Sequence, residues 1–307
     1  MPKFDIIVVG ELNADLILSG DATPAFGQAE KLVDDATLTL GSSSGIFACG
    51  AARLGLRVAF ISKTGDDEFG RFVRQWLTDR GIDTSGVVVD KTIKTGLSVI
   101  LSNGYDRAIL THLGSIAALR YDEIDQSLLR AARHLHMGHY YLLNALRPNV
   151  PALFTAARAA GLTTSVDTNY DPAEQWNGGL AEVLAHTDVF LPNQTELHAI
   201  SGVADLDDAL ARMAQRVPLV AVKLGEQGGI ARRGDEVVKA DPLPVNVVDT
   251  TGAGDSFDAG FIYGYLAGWD LTRSLRLGCA CGSLSTRAAG GTTTQATLEE
   301  AQAWLKS

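Results

Sequence analysis

No uninterrupted apolar stretch of this chain reaches the roughly 20 residues that a membrane-spanning helix needs. No run of lysines or arginines supplies the basic footprint that nucleic-acid binding demands. Acidic residues outnumber basic ones, 36 against 26, for a formal net charge of −10. A nucleotide or a sugar phosphate stays within reach, because a helix terminus and a cation or two are enough to hold one. Cysteine is scarce too. Cys49, Cys279 and Cys281 are too few for a disulfide framework, and Cys-x-Cys without a second pair is not a zinc spacing. All three read as small buried residues. The opening Met1-Pro-Lys-Phe-Asp, followed only by the short apolar run Ile6 to Val9, lacks the make-up of a signal peptide, so the expected compartment is the cytoplasm. Two nucleotide signatures are also missing. No Gly-Lys-Ser/Thr completes a P-loop, and Phe257 stands where a dinucleotide fingerprint needs its third glycine.

What is present is an ordinary globular composition, 46 % hydrophobic and 20 % charged over 307 residues. Ile6 to Val9 and Val58 to Ser62 are short β-branched or apolar runs of the kind that form strands covered on both faces. From residue 120 strands and helices alternate, the signature of a parallel sheet. The expected strands are His134 to Met137, Thr164 to Asp167, Val189 to Leu191, Leu219 to Leu224 and Pro244 to Val248. The expected helices are 150–160, 173–185, 194–201, 206–215, 255–268, 271–289 and 297–305, after two earlier ones at 46–54 and around Phe72 to Leu77. Two stretches, about 16–40 and 95–112, have β character with alternating wet positions, and a turn at Asn103 to Arg107. They are expected to pair into a small separate sheet.

Asp249-Thr-Thr-Gly-Ala-Gly-Asp-Ser-Phe257 is the stretch with the clearest chemistry. A helix start with almost no side chain presents free N–H groups and the positive end of the dipole, which suits a phosphate. Two glycines there cost about 1 kcal/mol each in helix stability, a cost that a closely approaching ligand explains. Asp255 complements the dipole as a cap and is equally placed to act as a base. Gly260, Gly264 and Gly268 continue at four-residue spacing, giving a smooth face for close packing.

Other candidates carry two readings each. Asn13 and Asp15, just past the first strand, are ligands at a sheet's end or local turn formers. Asn193 and Glu196 make a capping box, or hold a hydrated Mg²⁺. Lys223-Leu-Gly225-Glu-Gln-Gly228 closes a buried strand with a tight turn or a ligand loop. Gly41-Ser-Ser43-Ser-Gly45 fits a nucleophile elbow, with Ser43 as a hydrolase nucleophile, or a glycine turn that hugs a ligand. His134, His136 and His139 cluster without a Cys or carboxylate at metal-ligand spacing.

Taken together these motifs resemble the ribokinase-like (PfkB-type) carbohydrate kinases. The resemblance rests on 249–257 and, in order, on Gly10-x-x-x-x-Asp15, the turn at Gly41, Gly65-Asp-Asp-x-Phe-Gly70, Val166-Asp-x-Asn169, Pro192-Asn-x-x-Glu196 and Lys223-x-Gly-x-x-Gly228. It implies an α/β fold over residues 1–307: a three-layer α/β/α sandwich with a mostly parallel sheet, and a β-sheet lid from about 16–40 and 95–112. It implies ATP as phosphoryl donor, Mg²⁺ with it, and a sugar or sugar derivative as acceptor. Asp255 would match the base, and Gly252, Ala253 and Gly254 the anion hole. Asn193 and Glu196 would match the Mg²⁺–phosphate motif, with Glu196 reaching the metal through water, and Lys223, Gly225 and Gly228 the nucleotide loop. The resemblance extends to a K⁺ site in the loop holding Asp249 and Thr251.

On the acceptor side Asn13, Asp15 and Gly41 match sugar ligands, while Ser42 replaces a second glycine and Ile46 an asparagine. Cys279 stands where an asparagine near the adenine is common. Arg107, on the turn of the second β stretch, is a solvated residue or meets an acidic acceptor, which keeps a sugar-acid kinase of 2-keto-3-deoxygluconate type, or a nucleoside kinase, in view. From other classes a serine hydrolase using Ser43 and a non-catalytic nucleotide-binding regulator remain alternatives. An exposed second sheet offers an edge through which a homodimer can form.

Overall fold

The computed structural model describes residues 2–103 and 106–305; the expected turn at 103–107 therefore lies partly outside them, at Gly104 and Tyr105. Strands β1 (Ile6–Val9), β2 (Asn13–Ser19), β3 (Asp35–Leu40), β4 (Val58–Gly65), β5 (Asp83–Asp90), β6 (Gly96–Ser102), β7 (Arg107–His112), β8 (His134–Met137), β9 (Thr163–Val166), β10 (Val189–Phe190), β11 (Leu219–Lys223), β12 (Gly229–Arg233) and β13 (Glu236–Ala240) form two sheets. The larger has nine strands in the order β13-β12-β11-β10-β9-β8-β1-β4-β5. From β11 to β5 every pairing is parallel, and β12 and β13 add an antiparallel hairpin at one edge.

Helices cover both faces, which is why the strands read as unbroken apolar runs. Ile7, Val9, Phe190, Val220 and Val222 pack with Leu153, Phe154, Val183 and Met213 on one side. Ile6, Val8, Val189, Leu191 and Ala221 pack with Phe47, Phe257, Phe261 and Leu277 on the other. Successive residues of one strand thus serve opposite layers, and the result is the expected three-layer sandwich. Cys49, Cys279 and Cys281 are free and buried in the second of these layers.

The smaller sheet, in the order β3-β2-β6-β7, is built from the two β-rich stretches. β2 follows β1 after three residues, so Asn13 and Asp15 open a strand of the second sheet and are not loop residues. No helix among the described residues is long and apolar enough to cross a membrane.

Several expected elements differ. Pro244 to Val248 joins no ladder: Pro242 and Pro244 lack an N–H, and Val247 and Val248 are 57 % and 59 % exposed. The helix expected at 173–185 shrinks to Leu180–Leu184. Asp171 gathers the N–H groups of Ala173, Gln175 and Trp176, and Glu174, Trp176, Gly178 and Gly179 all have positive φ, so no helix can run through them. The helix expected to reach 289 stops at Ser285. Strands β5, β12 and β13 had no counterpart in the sequence reading. β5 and β13 are the sheet's two edges, where polar residues and a bulge opposite Ala59 and Ile61 in β4 weaken the apolar signal, and β12, next to β13, has only three buried residues.

Candidate active site

The parallel strands β1, β8, β9, β10 and β11 all end on one edge of the large sheet, and nearly every candidate residue follows one of those ends. Against that edge stands the helix Ala253–Leu266, one of the layer that buries Phe257 and Phe261. Its N-cap is Gly252, at φ 72°, and no side chain caps it. A Cβ at Gly252 would sit 2.8 Å from both Gly291 Cα and Ile46 Cγ2, so glycine is required by conformation and by space. Among the described residues the N–H groups of Gly252 and Gly254 donate to nothing, while that of Ala253 is taken by the Thr250 carbonyl at 3.2 Å. Two of the three expected anion-hole donors are therefore open and the third is engaged.

Asp255 lies in the first turn, 8 % exposed. Burial pushes its carboxyl well above the usual carboxylate range, Asp167 pushes it further, and Lys223 pulls it back. Beneath it Lys223 Nζ stands 2.7 Å from Asp167 Oδ2 and 3.1 Å from Asp258 Oδ2. The expected nucleotide role of the Lys223 side chain is thus displaced: its ammonium is committed to two buried carboxylates, and its chain passes 3.4 Å from the Cβ position of Gly254. Burial raises Asp258 strongly, whereas Asp167 is held low by Lys223 against its own burial.

Asn193 and Glu196 form the capping box and also face this network. The Asn193 N–H donates to Glu196 Oε2 at 2.9 Å, its amide to Oε1 at 2.7 Å, and Asn193 Oδ1 accepts from the Glu196 N–H. Burial, with Asp167 nearby, raises Glu196 to about 7. The described residues hold no cluster of three or more His, Cys, Asp or Glu side chains fit to cage a metal alone. One carboxylate with lone pairs to spare suits a cation that arrives on a phosphate and keeps its waters.

Asp249 Oδ1 accepts from the Thr251 N–H and hydroxyl, and Oδ2 from the Gly290 N–H. Both oxygens are spent ordering the loop, and the Asp249 carboxyl is held low. Gly225 and Gly228 turn the chain between β11 and β12 at positive φ, and a Cβ at Gly228 would overlap the Ala240 carbonyl. Cys279 is buried under that hairpin with Sγ 3.7 Å from Ala240 O, and burial raises its thiol to about 12.

Among the residues expected to meet the acceptor, Asn13 Nδ2 donates to Asp15 Oδ1 at 3.2 Å, and any Cβ at Gly41 would overlap that carboxylate. Burial raises Asp15 to about 6. Arg107 comes down from β7 to donate to Thr251 Oγ1 at 3.0 Å, so it ties the second sheet to the glycine loop instead of standing free in solvent. Ser42 and Ile46 have other work than the acceptor contacts expected of them. Ser42 is fully buried, donates to Glu11 O at 2.5 Å and caps the helix Ser43–Arg53 by accepting from the Gly45 N–H at 2.7 Å. Ile46 is buried against Gly252 and Gly291. Ser43 Oγ meets the Asn169 amide at 3.3 Å, and among the described residues no imidazole bonds to it, which leaves a hydrolase without its base.

Sequence reasoning missed Glu11. This carboxylate is 1 % exposed, accepts from the Ser44 hydroxyl at 2.5 Å and the Ser44 N–H at 3.1 Å, and lies 3.3 Å from His139 Nδ1. Nor did the sequence single out Asp258, the second carboxylate on Lys223. His134 and His136 are structural: both bond Ser165, and His136 stacks on Phe47, with burial lowering it to about 3.

Residues 3–298 match the family model for pfkB family carbohydrate kinases. A protein of Archaeoglobus fulgidus named as an uncharacterized sugar kinase is 35 % identical over 234 residues, 75 % of this chain and 91 % of that one. A 5-dehydro-2-deoxygluconokinase of Geobacillus thermodenitrificans is 30 % identical over 321 residues, 98 % of this chain and 93 % of its own. Among solved structures an E. coli protein provisionally designated ribokinase II, in complex with ATP and Mg²⁺, superposes with a TM-score of 0.87 at 25 % identity, with 99 % of each chain covered.

Proposed function

Given that the chain belongs to the pfkB family of carbohydrate kinases, we propose that it transfers the γ-phosphoryl group of ATP to a hydroxyl of a sugar or sugar derivative, with Asp255 as the base. The hydroxyl oxygen attacks the γ-phosphorus and its proton passes to Asp255. The bond to the β-phosphate oxygen breaks, and its electron pair leaves with ADP. The open N–H groups of Gly252 and Gly254 lie at the positive end of a helix, where they serve the charge that develops on the transferred group. Asn193 and Glu196 would hold Mg²⁺ through its waters, and that ion would neutralise phosphate charge. Asn13 and Asp15 position acceptor hydroxyls, and the second sheet, through Arg107, closes the site against water.

The observation that carries this reading is the pairing of an uncapped glycine turn with a buried carboxyl one helical step further on. A helix built for stability alone would fill the open turn and leave a first-turn carboxylate in water, where it stays charged. The test is ADP release from Mg²⁺-ATP against a panel of sugars, sugar acids and nucleosides. Release that depends on one acceptor class and disappears in Asp255→Asn supports the proposal. ATP binding with no transfer to any acceptor would favour a regulator instead.

A further inference from the structure

β1 and β8 are parallel neighbours with Val9 opposite Met137. Continuing that register past both strand ends sets Glu11 beside His139, 128 positions apart in the chain. The arrangement is tightly built. Any Cβ at Gly10 would overlap Ser44 Oγ, and one at Gly138 would come within 2.6 Å of the same atom. His139 is held at φ 53° and its N–H donates to Asn169 Oδ1 at 2.9 Å; Asn169, itself at φ 51°, gives its amide to Ser43 Oγ. Glu11, by contrast, is closed on all sides, with Ser42, Ser44 and His139 around it.

A fully buried carboxylate needs a counter-charge, and His139 supplies it. Burial alone would push the imidazole toward neutrality, but Glu11, then Asp167 and Glu196, hold it protonated above the ordinary histidine range. The ring nitrogen nearer Glu11 is Nδ1. Nδ1, buried 3.3 Å from Glu11 Oε1, makes the ion pair without a well-aligned hydrogen bond. Nε2 lies on the opposite edge of a ring that is 23 % exposed. Ser43 accepts from Asn169, which leaves its hydroxyl proton free to donate. Gly41 packs against Asp15 and Asn13, and Ser43 follows two residues later, so two unlike sets of groups lie near one another. Asn13 and Asp15 offer a carboxylate that accepts from hydroxyls, while His139 and Ser43 offer donors.

We propose that the Glu11–His139 pair is a specificity element that selects an acceptor with an oxidised carbon, whose carboxylate or ketone oxygen takes the Nε2–H and the Ser43 hydroxyl. The inference rests on the kinase reading given above. Glu11 is the positioning residue, keeping the imidazolium charged and its ring oriented. Charge-assisted bonds of this kind are the strong ones.

The experiment uses the full-length enzyme and Mg²⁺-ATP with matched pairs of acceptors: D-gluconate against D-glucitol for the carboxylate, and erythrulose, which cannot close a furanose ring, against erythritol for the ketone. The expected result is that one oxidised member has a KM roughly 10–100-fold below its reduced twin, and that pair identifies which oxygen is read. His139→Asn, which tolerates the left-handed backbone, should erase the preference and leave the KM for ATP within about twofold. Glu11→Gln, which avoids stranding a buried charge, removes the largest influence that raises His139, so the preference should survive at low pH and be lost at a lower pH than in the unaltered enzyme, a signature that a merely structural role would not give. Transfer to polyols without preference for either oxidised twin, or a preference that survives His139→Asn, overturns the proposal. No transfer to any acceptor overturns the kinase reading and this inference together, so the two failures are distinguishable.

Discussion

Two glycine turns open two helices of the same layer, and they solve the helix-start problem in opposite ways. At 41–45 the orphan N–H groups are used internally: Ser42 Oγ takes the Gly45 N–H, and Glu11 takes that of Ser44. At 249–255 no side chain caps the helix, and Gly252 and Gly254 keep their N–H groups open. Both turns need their glycines because another group comes too close for a Cβ, Asp15 at Gly41 and Gly291 with Ile46 at Gly252. The difference shows that a glycine-rich helix start is not in itself an anion site. What separates the two is whether the first-turn donors have already found partners.

The comparison can be broken at its open end first. Asp255→Asn should lower kcat by about 10²–10⁴ while ATP still binds, read by steady-state turnover beside nucleotide titration. Near-normal turnover would remove the base from that turn. Gly252→Ala imposes a Cβ on a left-handed residue that has no room for one, and kcat should fall by about 10²–10³ through displacement of the N–H groups. At the acceptor end Asp15→Ala and Asn13→Ala should each raise the acceptor KM roughly tenfold or more with little change for ATP. Equal effects on both substrates would make them structural.

The pH profile sharpens the same contrast. Because burial and Asp167 raise Asp255, kcat/KM should rise with pH through a limb above the ordinary carboxylate range. Lys223 opposes that shift, so Lys223→Gln should move the limb to higher pH, with near-ultraviolet dichroism confirming the fold. A limb that stays in place would mean a different group titrates. Smallest of all, Ser42→Ala removes the cap and the hydroxyl's bond to the Glu11 carbonyl, touches none of the open N–H groups, and should cost about 1–3 kcal/mol of stability in a denaturant titration with kcat nearly intact.

The buried strands were legible because helices cover both faces and leave a continuous apolar signature, as at Ile6–Val9 and Leu219–Lys223. Edge strands β5 and β13 carry polar residues that water tolerates, and β12, paired on both sides, is a short Gly-Ile-Ala run ending in two arginines, so their pattern was lost. In the site, the 249–257 turn and the 193–196 box announced themselves because each is local in sequence. Glu11 with His139, and Lys223 with Asp167 and Asp258, did not, since strand register and helix docking bring together residues far apart in the chain. Ser42 and Ile46 were assigned to the acceptor by position, but their direction depends on which partner fills the space beneath them. That is a packing outcome no local pattern records.

Ile46 has one more consequence. Its side chain sits under Gly252 and against Gly291 while its own helix begins at the turn proposed for the acceptor. The two turns therefore share a wall and have little freedom to shift independently. An engineer who enlarges or polarises residue 46 to admit a different acceptor will also displace the turn proposed to serve the phosphate. Retargeting through this position would trade turnover against selectivity, whereas changes at Asn13 or His139 leave that wall untouched.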